Sequence, residues 1–203
     1  MRVRPGLPAR CAALAAASAL TFLACGTAFA DSARGDVVTL PEQADGVVIS
    51  CGGNHYTFDL DGAGQLTVGQ GTVIDGVTRV PVTTDAEQLL GYSPEFGEIS
   101  ATETRPLRGD LVEQPDGTAT EVLPVDLTIT INHDPCQPEA THALREPLIL
   151  TTKAPATLVG HLTQFPPRGD LYQLQNPVDL FPLDDPDTPI ATILKFPVKV
   201  GGL

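Results

Sequence analysis

From Asp31 onward, apolar and polar residues alternate in short runs broken by Gly, Pro, Asn and Asp, the period of strands that bury one face. His55 to Leu60 sets Tyr56, Phe58 and Leu60 against His55, Thr57 and Asp59, and the earlier run Val47-Val48-Ile49 is separated from it by Cys51-Gly52-Gly53-Asn54. Asp61-Gly62-Ala63-Gly64 has the composition of a tight turn and predicts a hairpin whose return strand is Gln65-Leu66-Thr67-Val68. Asp75-Gly76 predicts a second hairpin between Thr72-Val73-Ile74 and the run from Val77 to Val82. Further strands are expected over Glu98 to Thr104, Thr118 to Asn132, Leu148 to Thr152, Thr157 to Phe165 and Ile190 to Val200. Only Thr84 to Leu90 reads as helical, with Thr84-x-x-Glu87 as a capping box for one or two turns. No long polar linker divides the chain. The pattern predicts one all-β domain over residues 31–203, a two-sheet antiparallel sandwich or, as the alternative, a β-barrel.

The first thirty residues carry an address. Arg2, Arg4 and Arg10 precede an Ala-rich apolar stretch from Cys11 to about Ala24, and Ala28-Phe29-Ala30 before Asp31 is an A-x-A cleavage signature. The stretch is too short for a comfortable membrane span. Cleavage after Ala30 and secretion are expected. The alternative is lipid attachment at Cys25, where Phe22-Leu23-Ala24 fits a lipoprotein signal poorly.

Charge narrows the partners. The chain has 12 Lys and Arg against 25 Asp and Glu. Loss of the signal removes three Arg and no acid, which leaves nine basic against 25 acidic residues and a net charge of −16. Such a surface lacks the cationic footprint of a nucleic-acid binder and repels anionic membranes. The 19 Gly and 19 Pro count against a helical bundle, and 42% apolar residues count against disorder.

Two cysteines, Cys51 and Cys136, remain after cleavage, and in an oxidising compartment a lone pair is expected to form one disulfide. They lack the C-x-x-C spacing of a redox pair.

One repeat stands out. Pro106-Leu107-Arg108-Gly109-Asp110-Leu111 and Pro166-Pro167-Arg168-Gly169-Asp170-Leu171 share P-x-R-G-D-L, each followed by Pro-Val-Asp-Leu at 124–127 and 177–180. A third Arg-Gly-Asp lies at 34–36. The structural expectation is that these mark equivalent strand-to-turn corners. The functional alternative is adhesion through Arg168, Gly169 and Asp170, since R-G-D-L-x-x-L through Leu174 looks like a sequence that some animal integrins recognise.

Candidate chemistry is sparse. Phe58-Asp59-Leu60-Asp61-Gly62 resembles the start of a calcium loop without its later ligands. Asp184, Asp185 and Asp187 form a weak calcium candidate, and the histidines His55, His133, His142 and His161 have no zinc spacing. Gly91-Tyr92-Ser93-Pro94-Glu95 departs from G-x-S-x-G, and Pro94 removes an amide that an oxyanion hole needs. No catalytic residue and no cofactor is assigned.

Gly91-Tyr92-Ser93-Pro94-Glu95-Phe96-Gly97-Glu98-Ile99, with Phe165-Pro166-Pro167 and the later Tyr172, resembles uncharacterised exported β-proteins of high-GC Gram-positive bacteria. The resemblance covers residues 55–200 loosely and implies a β-sandwich and no activity. The favoured function is a secreted, non-enzymatic binding or structural protein with an extracellular or cell-envelope protein partner. The alternative is a secreted hydrolase-like enzyme using dispersed carboxylates, with calcium at Asp184, Asp185 and Asp187.

Overall fold

The computed structural model describes residues 37–134, 136 and 146–201. The segment with Cys25, Ala28, Ala30 and Asp31, and the tripeptide at 34–36, lie outside the described residues, as does His142. The described residues form fourteen strands, in chain order β1 Val37–Cys51, β2 Asn54–Val68, β3 Thr72–Ile74, β4 Val77–Ser93, β5 Gly97–Glu103, β6 Leu107–Glu113 and β7 Ala119–Val125. The second half adds β8 Leu127–Ile131, β9 Leu148–Thr152, β10 Ala156–Leu162, β11 Asp170–Leu174, β12 Val178–Pro182, β13 Ala191–Lys195 and β14 Val198–Val200.

Every pairing is antiparallel, and the ladder closes on itself twice. One circuit runs β1-β2-β4-β5-β8-β9-β12-β13 and returns to β1; the other runs β1-β2-β4-β6-β7-β10-β11-β14 and returns to β1. The three strands common to both are the longest, at 15, 15 and 17 residues. β4 pairs with β6 through Thr78–Thr84 and with β5 through Gln88–Ser93. β1 likewise pairs with β14 at Glu42 and Gln43 and with β13 from Val48 to Cys51. The circuits therefore follow one another along the long strands, as a Cys51 lobe and a Tyr172 lobe. The fold is all-β and antiparallel as expected, and of the two arrangements left open its closed ladders have the barrel-like character. Among the described residues closure leaves few unpaired edges, and β3, paired there with β4 alone, keeps one.

Alternation explains the core. In β2 the even positions Phe58, Leu60, Leu66 and Val68 are buried, and in β7 the odd positions from Ala119 to Val125 are. Full burial of each Val, Leu or Ile contributes about 1.5–3 kcal/mol. In the Cys51 lobe Phe96 centres an aromatic group, with Tyr56 and Phe58 edge-on at centroid distances of 5.3 Å each. Cys51 and Cys136 come together there as a disulfide, with Cα atoms 5.0 Å apart.

Two local expectations are overturned. Asp61-Gly62-Ala63-Gly64 is no turn, because β2 runs straight through it. Gly62 and Gly64 stand on its inner face, where a Cβ at Gly62 would come within 1.9 Å of the Gln88 carbonyl oxygen. These glycines admit close neighbours rather than a chain reversal. Thr84 to Leu90 is likewise no helix but the middle of β4, paired on one side with β2. Burial of Thr84 and Leu89 against the lobes outweighs the local capping signal. The Asp75-Gly76 hairpin does form between β3 and β4, both residues having positive φ (52° and 79°), as a two-residue turn of primed type demands.

Candidate functional site

The site lies where β4 leaves β6 for β5. The register of β4 against β2 steps from Gln65–Ala86 to Leu66–Thr84 and leaves Asp85 as an extra residue. Val80, Val82 and Thr84 face inward before this bulge, and Glu87 and Leu89 face inward after it. Uninterrupted alternation would have turned Ala86 and Gln88 inward instead. The bulge thus delivers a carboxyl group into the Tyr172 lobe.

Two further carboxyls meet it. Glu42 shares the inner face of β1 with Leu40 and Ala44, and its side chain fills the space above Gly64, where a Cβ would come within 2.4 Å of Oε1. Glu103, at the end of β5, accepts a hydrogen bond from the Thr84 hydroxyl, which itself accepts one from the Leu107 amide at 3.2 Å. Glu42, Glu87 and Glu103, with Thr84 and Tyr172, line a cavity of about 20 Å³ whose remaining wall is largely Leu and Val. Glu42 Oε2, Glu87 Oε1 and Glu103 Oε2 are closed to solvent and have no hydrogen-bond partner. Among the described residues no Lys, Arg or His lines the cavity.

Burial without a counter-ion has the expected electrostatic result. Burial, and secondarily the charges of Glu87 and Glu103, push the Glu42 carboxyl up to about 9. Burial and then Glu103 raise Glu87 to about 7. Glu103 is also raised by burial, with the Thr84 hydrogen bond opposing.

A second buried carboxyl stands beside the cluster. Glu121 on β7, Gly160 on β10 and Tyr172 on β11 occupy one row of the ladder. Tyr172 and Glu121 are fully buried, and the Tyr172 hydroxyl donates to Glu121 Oε2. Burial raises Glu121 to about 7, with the Tyr172 hydrogen bond opposing. Burial and the neighbouring Glu121 raise the phenol. Chemically the interior offers carboxylic acids able to donate when protonated, and carboxylates able to take up a cation when not.

The residues singled out in the sequence lie elsewhere. Asp184, Asp185 and Asp187 occupy the turn after β12 without converging: Asp187 pairs with Lys153 at 3.2 Å and its amide donates to Asp185. Among the described residues no three His, Cys, Asp or Glu side chains are grouped to hold a metal ion. Arg108, Gly109 and Asp110 lie inside β6, whereas Arg168 and Gly169 precede β11, so the two Arg-Gly-Asp copies are not equivalent corners. Asp170 caps its own loop, accepting from the Arg168 amide at 2.9 Å and the Thr163 amide at 3.3 Å. Ser93 is structural as well: its buried hydroxyl accepts from the Phe96 and Glu95 amides at 3.1 and 3.2 Å. Phe58 to Gly62, with its calcium-loop likeness, is strand.

Sequence reasoning missed Glu42, Glu87, Glu103, Glu121 and Tyr172. For Glu121 a signal was present, because it keeps phase with Ala119, Leu123 and Val125. Glu42 keeps phase with Leu40 in the same way.

Among the described residues no helix is long and apolar enough to cross a membrane. No family model matches the chain. No curated protein matches it. Among solved structures, DynF from the dynemicin biosynthesis pathway of Micromonospora chersina is similar at 18% identity and a TM-score of 0.66. The match covers 83% of this chain and 81% of DynF, and it shows a shared fold.

Proposed function

We propose that the protein is an exported, non-enzymatic binding protein whose ligand chamber is the interior of the Tyr172 lobe. The observation that carries this reading is the cavity at the fork of β4. Three carboxyl oxygens there are shut away from water with no partner, each at a desolvation cost of about 1–3 kcal/mol. A ligand group that bonds to them recovers that cost, and a space of about 20 Å³ admits one such group, about the size of a water molecule. The A-x-A signature before Asp31 and the pairing of Cys51 with Cys136 support export.

The test is native mass spectrometry of the protein recovered from cells and medium of a producing culture, beside a Val125→Trp variant that fills the chamber. The expected result is processed protein outside the cell carrying a small molecule that the variant lacks. Ligand retained by a folded Val125→Trp variant overturns the chamber, and intracellular, unprocessed protein overturns export.

A hydrolase reading draws on one specific observation: Glu87, held at about 7 beside Glu103, has the protonation behaviour of a general acid. Turnover of a glycoside or ester that disappears in Glu87→Gln would replace binding by catalysis.

A further inference from the structure

We propose that the cavity at the fork of β4 binds the terminal ammonium group of a primary amine. The inference rests on the chamber reading above and specifies the chemistry of its ligand.

Its first support is the donor set. Glu42 from β1, Glu87 from β4 and Glu103 from β5 each present an oxygen without a partner. A primary ammonium has three N–H donors, one for each of three acceptors. The second support is charge. The cavity wall holds no cation, and the groups acting on these carboxyls from neighbouring elements are themselves acidic: Asp85 and Asp126 beside Glu103, and Asp170 and Glu121 beside Tyr172. Arg105 is exposed and engaged with Asp126 at 2.7 Å. Among the described residues the cluster therefore has no counter-ion.

The third support is size. A cavity of about 20 Å³ holds one group as large as a water molecule. An ammonium head meets that limit, whereas a guanidinium or a quaternary ammonium exceeds it. A metal ion fits less well, because calcium takes about six to eight oxygens at about 2.3–2.6 Å and the cluster offers three free ones. Charge-assisted N–H···O bonds span about 2.7–2.9 Å and tolerate a wider set.

Binding carries a chemical signature. The amine enters already protonated, and each carboxyl that ionises to meet it gives its own proton to the buffer. Calorimetric titration of the full chain with n-butylamine at pH 7, in phosphate and in MOPS, measures that release. Butylamine is expected to bind with net proton release and about tenfold or more tighter than butan-1-ol or tetramethylammonium. Glu87→Gln, nearly isosteric, is expected to weaken butylamine about tenfold or more and to reduce the proton release. Glu42→Gln serves as the second variant, and circular dichroism verifies the fold of each. Absence of butylamine binding, binding without proton release, or binding unchanged in both variants overturns the ammonium site. Butan-1-ol bound as tightly as butylamine, and both lost in Val125→Trp, overturns the ammonium site and leaves the chamber standing. Amine binding that persists in Val125→Trp but falls in Glu87→Gln overturns the chamber and leaves the ammonium site standing.

Discussion

Tyr172 reaches Glu121 across the strand between them, and it does so because the intervening residue of their row is Gly160. A Cβ at Gly160 would stand 2.6–2.8 Å from three carbons of the Tyr172 ring, so the ring occupies the place of the missing side chain. Gly160→Ala is expected to cost about 1–3 kcal/mol by overpacking. Tyr172→Phe leaves Glu121 without its donor and is expected to cost about 1–3 kcal/mol. Urea denaturation checks both. Because the glycine serves the ring, Gly160→Ala added to Tyr172→Leu should cost much less than it does alone, and additive losses would contradict the arrangement.

The buried carboxyls give stability a definite pH dependence. Glu42, Glu87 and Glu121 titrate near 4.5 in the unfolded chain and at about 9, 7 and 7 in the folded one. Between those values the folded state holds protons that the unfolded state has released. Stability is therefore complete below about 4.5 and is lost as pH rises through 7 and on toward 9. Glu121 alone corresponds to roughly 3 kcal/mol across that window. Melting temperatures measured from pH 5 to pH 9 should fall steadily. Glu121→Gln, which keeps an acceptor for Tyr172, should flatten the fall, and a rise in stability with pH would refute this account.

The sequence shows alternation, and alternation is what local physics controls. β5 and the β3–β4 hairpin were legible because their runs of apolar residues meet turn residues that close a ladder with the neighbouring strand, and β9 because its apolar run is bounded by Pro147 and by Lys153-Ala154-Pro155. Closure of two circuits through three shared strands was not, because it depends on pairings such as Val80 with Leu111 and Ile49 with Ile193, which are remote in the chain. Gly62 and Gly64 have the composition of a turn, and only the approach of Gln88 and Glu42 distinguishes them from one. The candidate site was hidden for a related reason. Asp85 resembles any polar strand residue, yet as a bulge it decides whether Glu87 faces water or the interior.

The pairing of Cys51 with Cys136 closes a loop with a sequence separation of 85 residues. Chain-entropy models give such a loop about 4–5 kcal/mol. Reduction should lower the urea midpoint markedly, and Cys51→Ala should be as unstable as the reduced protein. A reduced protein as stable as the oxidised one would show that the cross-link contributes nothing to folding.

Two glycines of β2, two residues apart on the same face, should respond to alanine to very different extents. At Gly62 the added Cβ meets fixed backbone, with the Gln88 carbonyl oxygen at 1.9 Å and Leu89 Cα at 2.9 Å. Relief requires β2 and β4 to separate where both lobes share them, so Gly62→Ala should cost about 3 kcal/mol or more. At Gly64 the nearest atoms are the Glu42 carboxyl, at 2.4 Å, the free end of a flexible side chain. Gly64→Ala should displace that carboxyl and leave the strands in place, with a stability change of about 1 kcal/mol or less in magnitude. Displacement moves Glu42 away from Glu87 and Glu103, whose charges help to raise it. The pH at which stability declines should then shift in Gly64→Ala. Equal destabilisation by Gly62→Ala and Gly64→Ala would show that the Glu42 carboxyl is held as rigidly as backbone.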